Sequence, residues 1–115
     1  MKSFIVVRSS HAHLFSNPQV QRKALNLGFL QYFLRLLNTE TNDVIILRLL
    51  FTLSTLLRNY PQSQQNFLEH GGAELMVKLL DQPNLSNKVV VRIVTLMNDL
   101  IIEKVRLFFA SFIDR

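Results

Sequence analysis

The sequence repeats itself at an interval of about 43 residues, and this periodicity limits the possible folds more than any other feature. The pairs that match at this offset, or at one residue more, are Pro18 with Pro61, Gln19 with Gln62, Gln21 with Gln64, Leu25 with Leu68, Gly28 with Gly71, Leu36 with Leu79, Leu37 with Leu80, Arg48 with Arg92 and Leu56 with Leu100. Helical repeats of about 40–47 residues are typical of HEAT and armadillo proteins, in which each repeat stacks on its neighbour to bury a continuous core. The sequence therefore predicts an all-α protein: an armadillo-like right-handed α-solenoid with two three-helix repeats and partial helices on both sides.

The repeat divides the chain into four segments. Residues 17–59 and residues 60–104 form the two armadillo-like repeats. Residues 1–16 lie where a preceding repeat would place its third helix, and we interpret them as the remnant of that helix. Residues 105–115 are predicted to form an apolar tail outside the repeat pattern.

Capping residues locate the helices of the first repeat. Asn17 precedes Pro18, a pairing that favours a helix start because proline needs no N–H partner in the first turn. Gly28 is predicted to end this helix, since glycine readily adopts the left-handed conformation found beyond helix ends. The polar stretch after the second helix offers Thr41 or Asp43 as the cap of the third.

The third helix of each repeat is predicted to be the longest. In the first repeat it spans about residues 44–59. In the second repeat Ser86 or Asn87 is the expected cap, and the helix is expected to end near Glu103 or Lys104.

Composition excludes several kinds of chemistry. The 115 residues include no cysteine, which rules out disulfides, thiolate metal sites and a cysteine nucleophile. The histidines, His11, His13 and His70, are too few and too separated for the three or four convergent ligands that zinc prefers. We therefore predict no metal, no cofactor, no small-molecule substrate and no enzymatic activity.

The charge pattern argues against nucleic-acid binding. The net charge of +5 comes from 13 Lys and Arg against 8 Asp and Glu, and the basic residues are scattered along the sequence. A phosphate-binding surface needs a dense basic patch. We therefore predict no nucleic-acid partner.

Targeting and modification signals are few. The first ten residues lack the longer apolar core of a secretory signal, and the longest apolar stretch, residues 44–57, is broken by Arg48 and too short to span a bilayer. No membrane span is predicted. Asn84 begins an N-x-S triplet, a weak N-glycosylation signal that is relevant only in a secretory protein.

A polar stripe on the third helices is the candidate binding site. The third helices of an armadillo solenoid stack side by side and line its concave surface, where partners bind. Residues spaced by three, four and seven positions share one face of a helix. The candidate partner-binding residues selected in this way are Arg48, Thr52, Thr55, Arg92, Thr95 and Asp99.

Three segments carry a more specific resemblance. They read NPQVQ (residues 17–21), TLLRNYPQSQQNFLEHGG (55–72) and RIVTLMNDLIIEK (92–104). Together these segments resemble the Sil-type armadillo nucleotide exchange factors, which serve BiP, the 70-kDa heat-shock chaperone of the endoplasmic reticulum. The resemblance covers residues 17–104.

The resemblance implies a mechanism without catalytic residues. Such a protein binds the nucleotide-binding domain of the chaperone and favours its open form, so that ADP leaves and ATP can enter. The six residues of the polar stripe are then candidates for contact with the chaperone. The resemblance also implies residence in the lumen of the endoplasmic reticulum, whereas the chain as it stands, without a signal peptide, would stay in the cytosol.

A generic armadillo adaptor that holds an extended peptide in its groove is the alternative. Such grooves usually carry a ladder of Trp and Asn on the third helices. This sequence has no Trp, and Thr55 and Asp99 occupy the expected Asn positions. The adaptor is therefore the less favoured hypothesis.

Overall fold

The computed structural model describes residues 17–113, with the exception of the side chain of Phe112. The predicted remnant helix of residues 1–16, the His11 and His13 pair and the end of the predicted tail, residues 114–115, lie outside the described residues. The helices are α1 (Pro18–Asn26), α2 (Phe29–Thr39), α3 (Asp43–Leu57), α4 (Pro61–Glu69), α5 (Gly72–Leu80) and α6 (Asn87–Ile113). They form two successive groups of three, and no strand occurs between residues 17 and 113. The predicted all-α, armadillo-like architecture is confirmed.

Most helix boundaries follow from local chemistry. The Asn17 side chain accepts a hydrogen bond from the Gln19 amide at 2.9 Å, and Pro18 opens α1 as predicted. Gly28 has a φ of 79° and separates α1 from α2. The cap of α3 is Asn42, which accepts from the amides of Val44 and Ile45, so the predicted caps at Thr41 or Asp43 are wrong. Asn42 prevails because its short amide reaches those two amides from extended backbone.

The end of α6 differs most from expectation. Its start agrees, since the Val89 amide donates to the Ser86 hydroxyl at 3.3 Å. The predicted end near Glu103 or Lys104 is wrong, because the helix continues to Ile113. No residue there breaks the helix, and the apolar spacing of the last residues is itself helical.

One apolar core runs through both helical groups. The buried apolar side chains are Ala24, Leu30, Phe33, Leu34, Leu37, Ile46, Leu49, Leu50, Leu53, Leu56, Leu57, Phe67, Leu75, Met76, Leu79, Val89, Ile93, Leu96 and Leu100. The third helices α3 and α6 pack side by side, and α2 packs against both α4 and α5. Across the described part of the protein, no helix combines the length and the apolar character needed to cross a bilayer.

The end of α3 is held by a glutamine from the first repeat. Gln21 on α1 is 2 % exposed. Its amide nitrogen donates to the carbonyl oxygens of Thr55, Leu56 and Arg58 at 3.0, 3.3 and 2.9 Å. Carbonyl groups in the last turn of a helix have no partner within the helix, so the Gln21 amide caps the carboxyl end of α3.

The second repeat caps the same helix end. Ser63 on α4 donates its hydroxyl to the Leu56 carbonyl at 2.9 Å, and the Gln64 amide donates to the Leu57 carbonyl at 3.0 Å. Both side groups are buried. The repeated glutamines, Gln21 and Gln64, therefore reach the same helix end from different repeats.

Candidate partner-binding face

Two arginines at equivalent positions of α3 and α6 remain on the surface. Arg48 is exposed and Arg92 is half-buried. The guanidinium carbon of Arg92 lies 5.6 Å from the centre of the Phe51 ring. This cation–π contact orients Arg92 before any partner binds.

Thr52 and Thr55 do not belong to the exposed face. Thr52 is 0 % exposed and Thr55 is 6 % exposed, so neither presents a side chain to a partner. The Thr52 hydroxyl donates to the Arg48 carbonyl at 2.9 Å, and the Thr55 hydroxyl donates to the Thr52 carbonyl at 2.8 Å. Because a threonine can satisfy its hydroxyl on its own helix, it tolerates burial, and the prediction that these two residues line the face is wrong.

Thr95 and Asp99 lie on the exposed side of α6. The Thr95 hydroxyl donates to the Val91 carbonyl at 2.7 Å, and the residue is exposed. Asp99 is exposed. Four residues of the predicted stripe are accessible: two cationic, one anionic and one neutral. We call them the binding face: Arg48, Arg92, Thr95 and Asp99.

A cleft of about 360 Å³ opens beside this face, between the end of α3 and α6. Its lining residues are Ser54, Leu57, Arg58, Asn59, Gln64, Leu96, Asp99, Leu100, Ile102 and Glu103. Asp99 therefore belongs to both the stripe and the cleft. The cleft combines apolar walls with acidic and basic groups, a lining suited to a polar segment of another protein.

Glu103 organises the inner end of the cleft. Its carboxylate accepts from the Asn59 amide at 3.2 Å and also from the Gln64 side chain. Asn59 has a φ of 56°, a left-handed conformation that asparagine adopts more easily than most residues. The carboxylate thus joins the turn after α3 to α6 and stabilises the floor of the cleft.

Sequence reasoning did not select Phe51, Arg58 or Glu103 for the site. Phe51 is half-buried and Arg58 is exposed. The sequence offered one indication for Glu103. It occupies the position equivalent to Asn59 in the second repeat, 44 residues later, and it lies on the same stripe as Asp99. Phe51 gave none, because an aromatic residue within an apolar helix is ordinarily assigned to the core.

The glycosylation candidate is accessible. Asn84 is exposed and has a φ of 65° in the turn before α6. Glycosylation at this residue stays a prediction. Within residues 17–113, no three residues among His, Cys, Asp and Glu converge in a way that could hold a metal ion.

Comparison with known proteins gives one consistent family. The profile described as the SIL1/FES1/HPBP1 C-terminal domain matches residues 2–112. Nucleotide exchange factor SIL1 of Xenopus laevis is 34 % identical over 95 residues, which is 83 % of this chain and 21 % of that protein. The Rattus norvegicus protein of the same name is 40 % identical over 89 residues, 77 % of this chain and 19 % of that protein.

The similarity extends to insects. Nucleotide exchange factor Sil1 of Drosophila melanogaster is 30 % identical over 89 residues, 77 % of this chain and 21 % of that protein. The chain therefore spans about a fifth of the length of the curated relatives it matches. No solved structure matches the sequence.

Proposed function

The chain belongs to the SIL1/FES1/HPBP1 family, and on this premise we propose that it acts as a nucleotide exchange co-chaperone. Its partner is the nucleotide-binding domain of a 70-kDa heat-shock chaperone, BiP of the endoplasmic reticulum. The observation that carries the proposal is the match to relatives named as nucleotide exchange factors, together with exposed polar residues on the stacked third helices.

The mechanism is a difference in affinity for two states of the chaperone. A ligand shifts a conformational equilibrium only by as much as it prefers one state. If the binding face fits the open nucleotide-binding domain better than the closed one, binding opens the nucleotide cleft and ADP dissociates faster. No covalent chemistry is required, so we propose that the protein is not an enzyme.

The two arginines are the principal contacts in this proposal. Arg48 and Arg92 occupy equivalent positions on α3 and α6, and packed helices lie about 8–10 Å apart. Each guanidinium group can bind a carboxylate in bidentate fashion. Because Phe51 already orients Arg92, less side-chain entropy is lost when it binds.

Asp99 and Thr95 supply the complementary groups. Asp99 can accept from a lysine or arginine of the chaperone, and the exposed Thr95 can accept one further hydrogen bond. An extended peptide is a poorer fit to this face, because Thr55, which occupies an expected Asn position of the ladder, is buried.

The test is the release of fluorescently labelled ADP from BiP. The chain, and a longer version that carries further repeats of the same family, are expected to accelerate release in proportion to their concentration. The shorter protein needs the higher concentration because two repeats cover less of the partner. A longer version that binds BiP without accelerating release, or that does not bind at all, would contradict the proposal.

Charge reversal then locates the contact. The double substitution Arg48→Glu with Arg92→Glu is expected to weaken binding at least tenfold. Arg22→Glu with Lys23→Glu is the matched control, since it makes the same change in net charge at two exposed positions of α1. Equal losses from the two pairs would show that only net charge matters and that the binding face is wrongly placed.

A further inference from the structure

The cleft beside the binding face lies between helices of the two described repeats, on a different side of α6 from its exposed apolar residues. Its walls come from α3, α4 and α6. Val94 and Ile101 on α6 are 54 % and 60 % exposed, and a following repeat would stack on them. At about 100° per residue, Ile101 lies roughly 200° around α6 from Asp99, which lines the cleft. A repeat stacked on α6 would therefore leave the cleft open.

Two carboxylates of α6 lie side by side in this cleft. Asp99 and Glu103 both line it. Because they are four residues apart, their Cβ atoms are about 5–6 Å from each other on one side of the helix. Like charges at this spacing repel each other and destabilise the helix. The pair is therefore a favourable place for a positive charge.

Neither carboxylate has a cationic partner among the described residues. The side chain of Asp99 is exposed and makes no hydrogen bond or ion pair with them. Glu103 is half-buried and accepts only from neutral donors, the Asn59 amide and the Gln64 side chain. Since a carboxylate offers about four acceptor positions, Glu103 can accept further bonds. Partly buried charges are ordinarily paired, so this site lacks its counter-charge.

The neighbouring arginines do not supply that counter-charge. Arg58 lines the cleft, yet within residues 17–113 its side chain forms no ion pair. Arg106 donates to the Asn59 side-chain oxygen at 3.5 Å instead of to a carboxylate. The space between the two carboxylates is therefore available to a cation from another protein.

The size and walls of the cleft suit one long side chain. Its volume of about 360 Å³ is near the lower end of the about 300–1,000 Å³ found for ligand pockets. Leu57, Leu100 and Ile102 contribute apolar surface, and Ile102 is 55 % exposed. A lysine buries its four methylene groups against such surface while its ammonium group stays among polar atoms.

The arrangement of the carboxylates favours an ammonium group over other cations. An ammonium nitrogen carries three donors and can bond to two carboxylates at once. A guanidinium group is planar and matches a single carboxylate in bidentate fashion, whereas Asp99 and Glu103 stand on successive turns of α6. Divalent metal ions fit less well, because Ca²⁺ takes six to eight oxygen ligands and no third acidic or histidine residue of the described chain joins the pair.

We propose that the cleft binds one lysine side chain of the partner protein, held jointly by Asp99 and Glu103. This inference rests on the proposed function, because it places that lysine on the nucleotide-binding domain of the chaperone. Arg92 and Asp99 are seven residues apart, which is roughly 10 Å along α6. The partner surface should therefore carry an acidic group and a lysine at about this separation.

Titration of the ¹⁵N-labelled chain, followed by two-dimensional NMR, tests the cleft without the chaperone. The probe is Nα-acetyl-lysine N-methylamide at constant ionic strength, and its uncharged norleucine analogue is the control. We expect saturable shifts of the amides of Ser54, Asn59, Asp99 and Glu103, with a dissociation constant on the order of 10 mM for one weakly screened ion pair. Equal shifts with the norleucine probe, tighter binding of the arginine analogue, or no saturation by about 100 mM would overturn the proposal.

The substitution Asp99→Asn isolates the charge. It preserves the shape of the side chain, and because Asp99 has no partner among the described residues, the free energy of unfolding should not change. Affinity for the lysine probe should fall at least fivefold and affinity for BiP about tenfold. Asp81→Asn is the matched control, since it makes the same change in net charge at an exposed aspartate outside the cleft. Equal losses in the two variants would show that only net charge matters and would refute the lysine contact.

The two measurements separate this inference from the proposed function. If the chain accelerates ADP release from BiP but the lysine probe does not saturate, or if Asp99→Asn binds BiP as tightly as the unmodified chain, the lysine contact is refuted and the co-chaperone function stands. If the probe binds at the cleft but neither the chain nor its longer version binds BiP, the lysine-binding cleft is supported and the co-chaperone function is refuted.

Discussion

Replacing Gln21 with leucine should destabilise the protein more than any surface substitution in α1. The side chain is 2 % exposed, and its amide donates to three carbonyl oxygens at the end of α3. Leucine has a similar size and fits the buried position, but it donates nothing. The change therefore isolates the hydrogen bonds from the packing.

The size of the loss in the free energy of unfolding depends on which hydrogen-bond donors each carbonyl keeps in the variant. The Leu56 carbonyl keeps the Ser63 hydroxyl as a donor, whereas the Thr55 and Arg58 carbonyls lose the donor that Gln21 provides. A buried carbonyl without a partner costs about 1–3 kcal/mol, and less where water can reach it, as at the partly buried Arg58. We expect a total loss of about 2–4 kcal/mol, a large share of the about 5–15 kcal/mol by which domains are stable.

Urea unfolding followed by circular dichroism at 222 nm measures this loss. With a denaturant slope of about 1–3 kcal/mol/M, the midpoint should fall by roughly 1–3 M while the slope stays the same. Gln19→Leu is the matched control, because Gln19 is an exposed glutamine of the same helix and only its backbone amide takes part in the cap. If Gln21→Leu lowered the midpoint no more than Gln19→Leu, the glutamine cap would contribute nothing, and the explanation given for the repeated glutamine would be refuted.

Four further substitutions test other elements of the fold. Gly72→Ala should cost several kcal/mol in thermal unfolding, because the new Cβ would lie too close to the Phe67 ring. Gly28→Ala should cost about 1–2 kcal/mol, because φ is +79° there although the Cβ would make only an ordinary contact, 3.9 Å from the Gln31 side-chain oxygen. A smaller loss for Gly72→Ala than for Gly28→Ala would contradict this ranking. Asn42→Ala removes the acceptor for the Val44 amide and should cost about 1 kcal/mol in urea unfolding, and an unchanged midpoint would count against the cap. Glu103→Gln keeps an acceptor but removes the negative charge that accepts from the Asn59 amide and from Gln64. It should lower the melting temperature by a few degrees. An unchanged melting temperature would show that this charge does not contribute to stability.

The repeat predicts the helices well because the relevant signals are local. Asn17 with Pro18, Gly28 and Ser86 mark helix boundaries through the properties of their own backbone or side groups, which need no knowledge of the fold. The sequence places the cap of α3 at the wrong residue because Thr41, Asn42 and Asp43 are consecutive polar residues, all able to cap. Only the three-dimensional path of the backbone decides among them.

The candidate site is predicted only in part, for a physical reason. Arg48, Arg92 and Asp99 carry charges, and charged residues are rarely buried, so their exposure could be expected from their type. Threonine is ambiguous, because its hydroxyl can be satisfied by its own helix, and Thr52 and Thr55 are buried in that way. The contact of Arg92 with Phe51 joins two helices about 40 residues apart in sequence, and no local pattern indicates it.

The shared capping of α3 has a consequence for how the protein opens. Gln21 belongs to the first repeat, whereas Ser63 and Gln64 belong to the second, yet all three bond to the same few carbonyls. Local unfolding of either repeat would therefore release the end of α3, which in turn weakens the other repeat. Such coupling between neighbours makes a short solenoid open as a single cooperative unit. Native-state hydrogen exchange should then report one common opening free energy for the buried amides of α2 and α5, although these helices lie in different repeats.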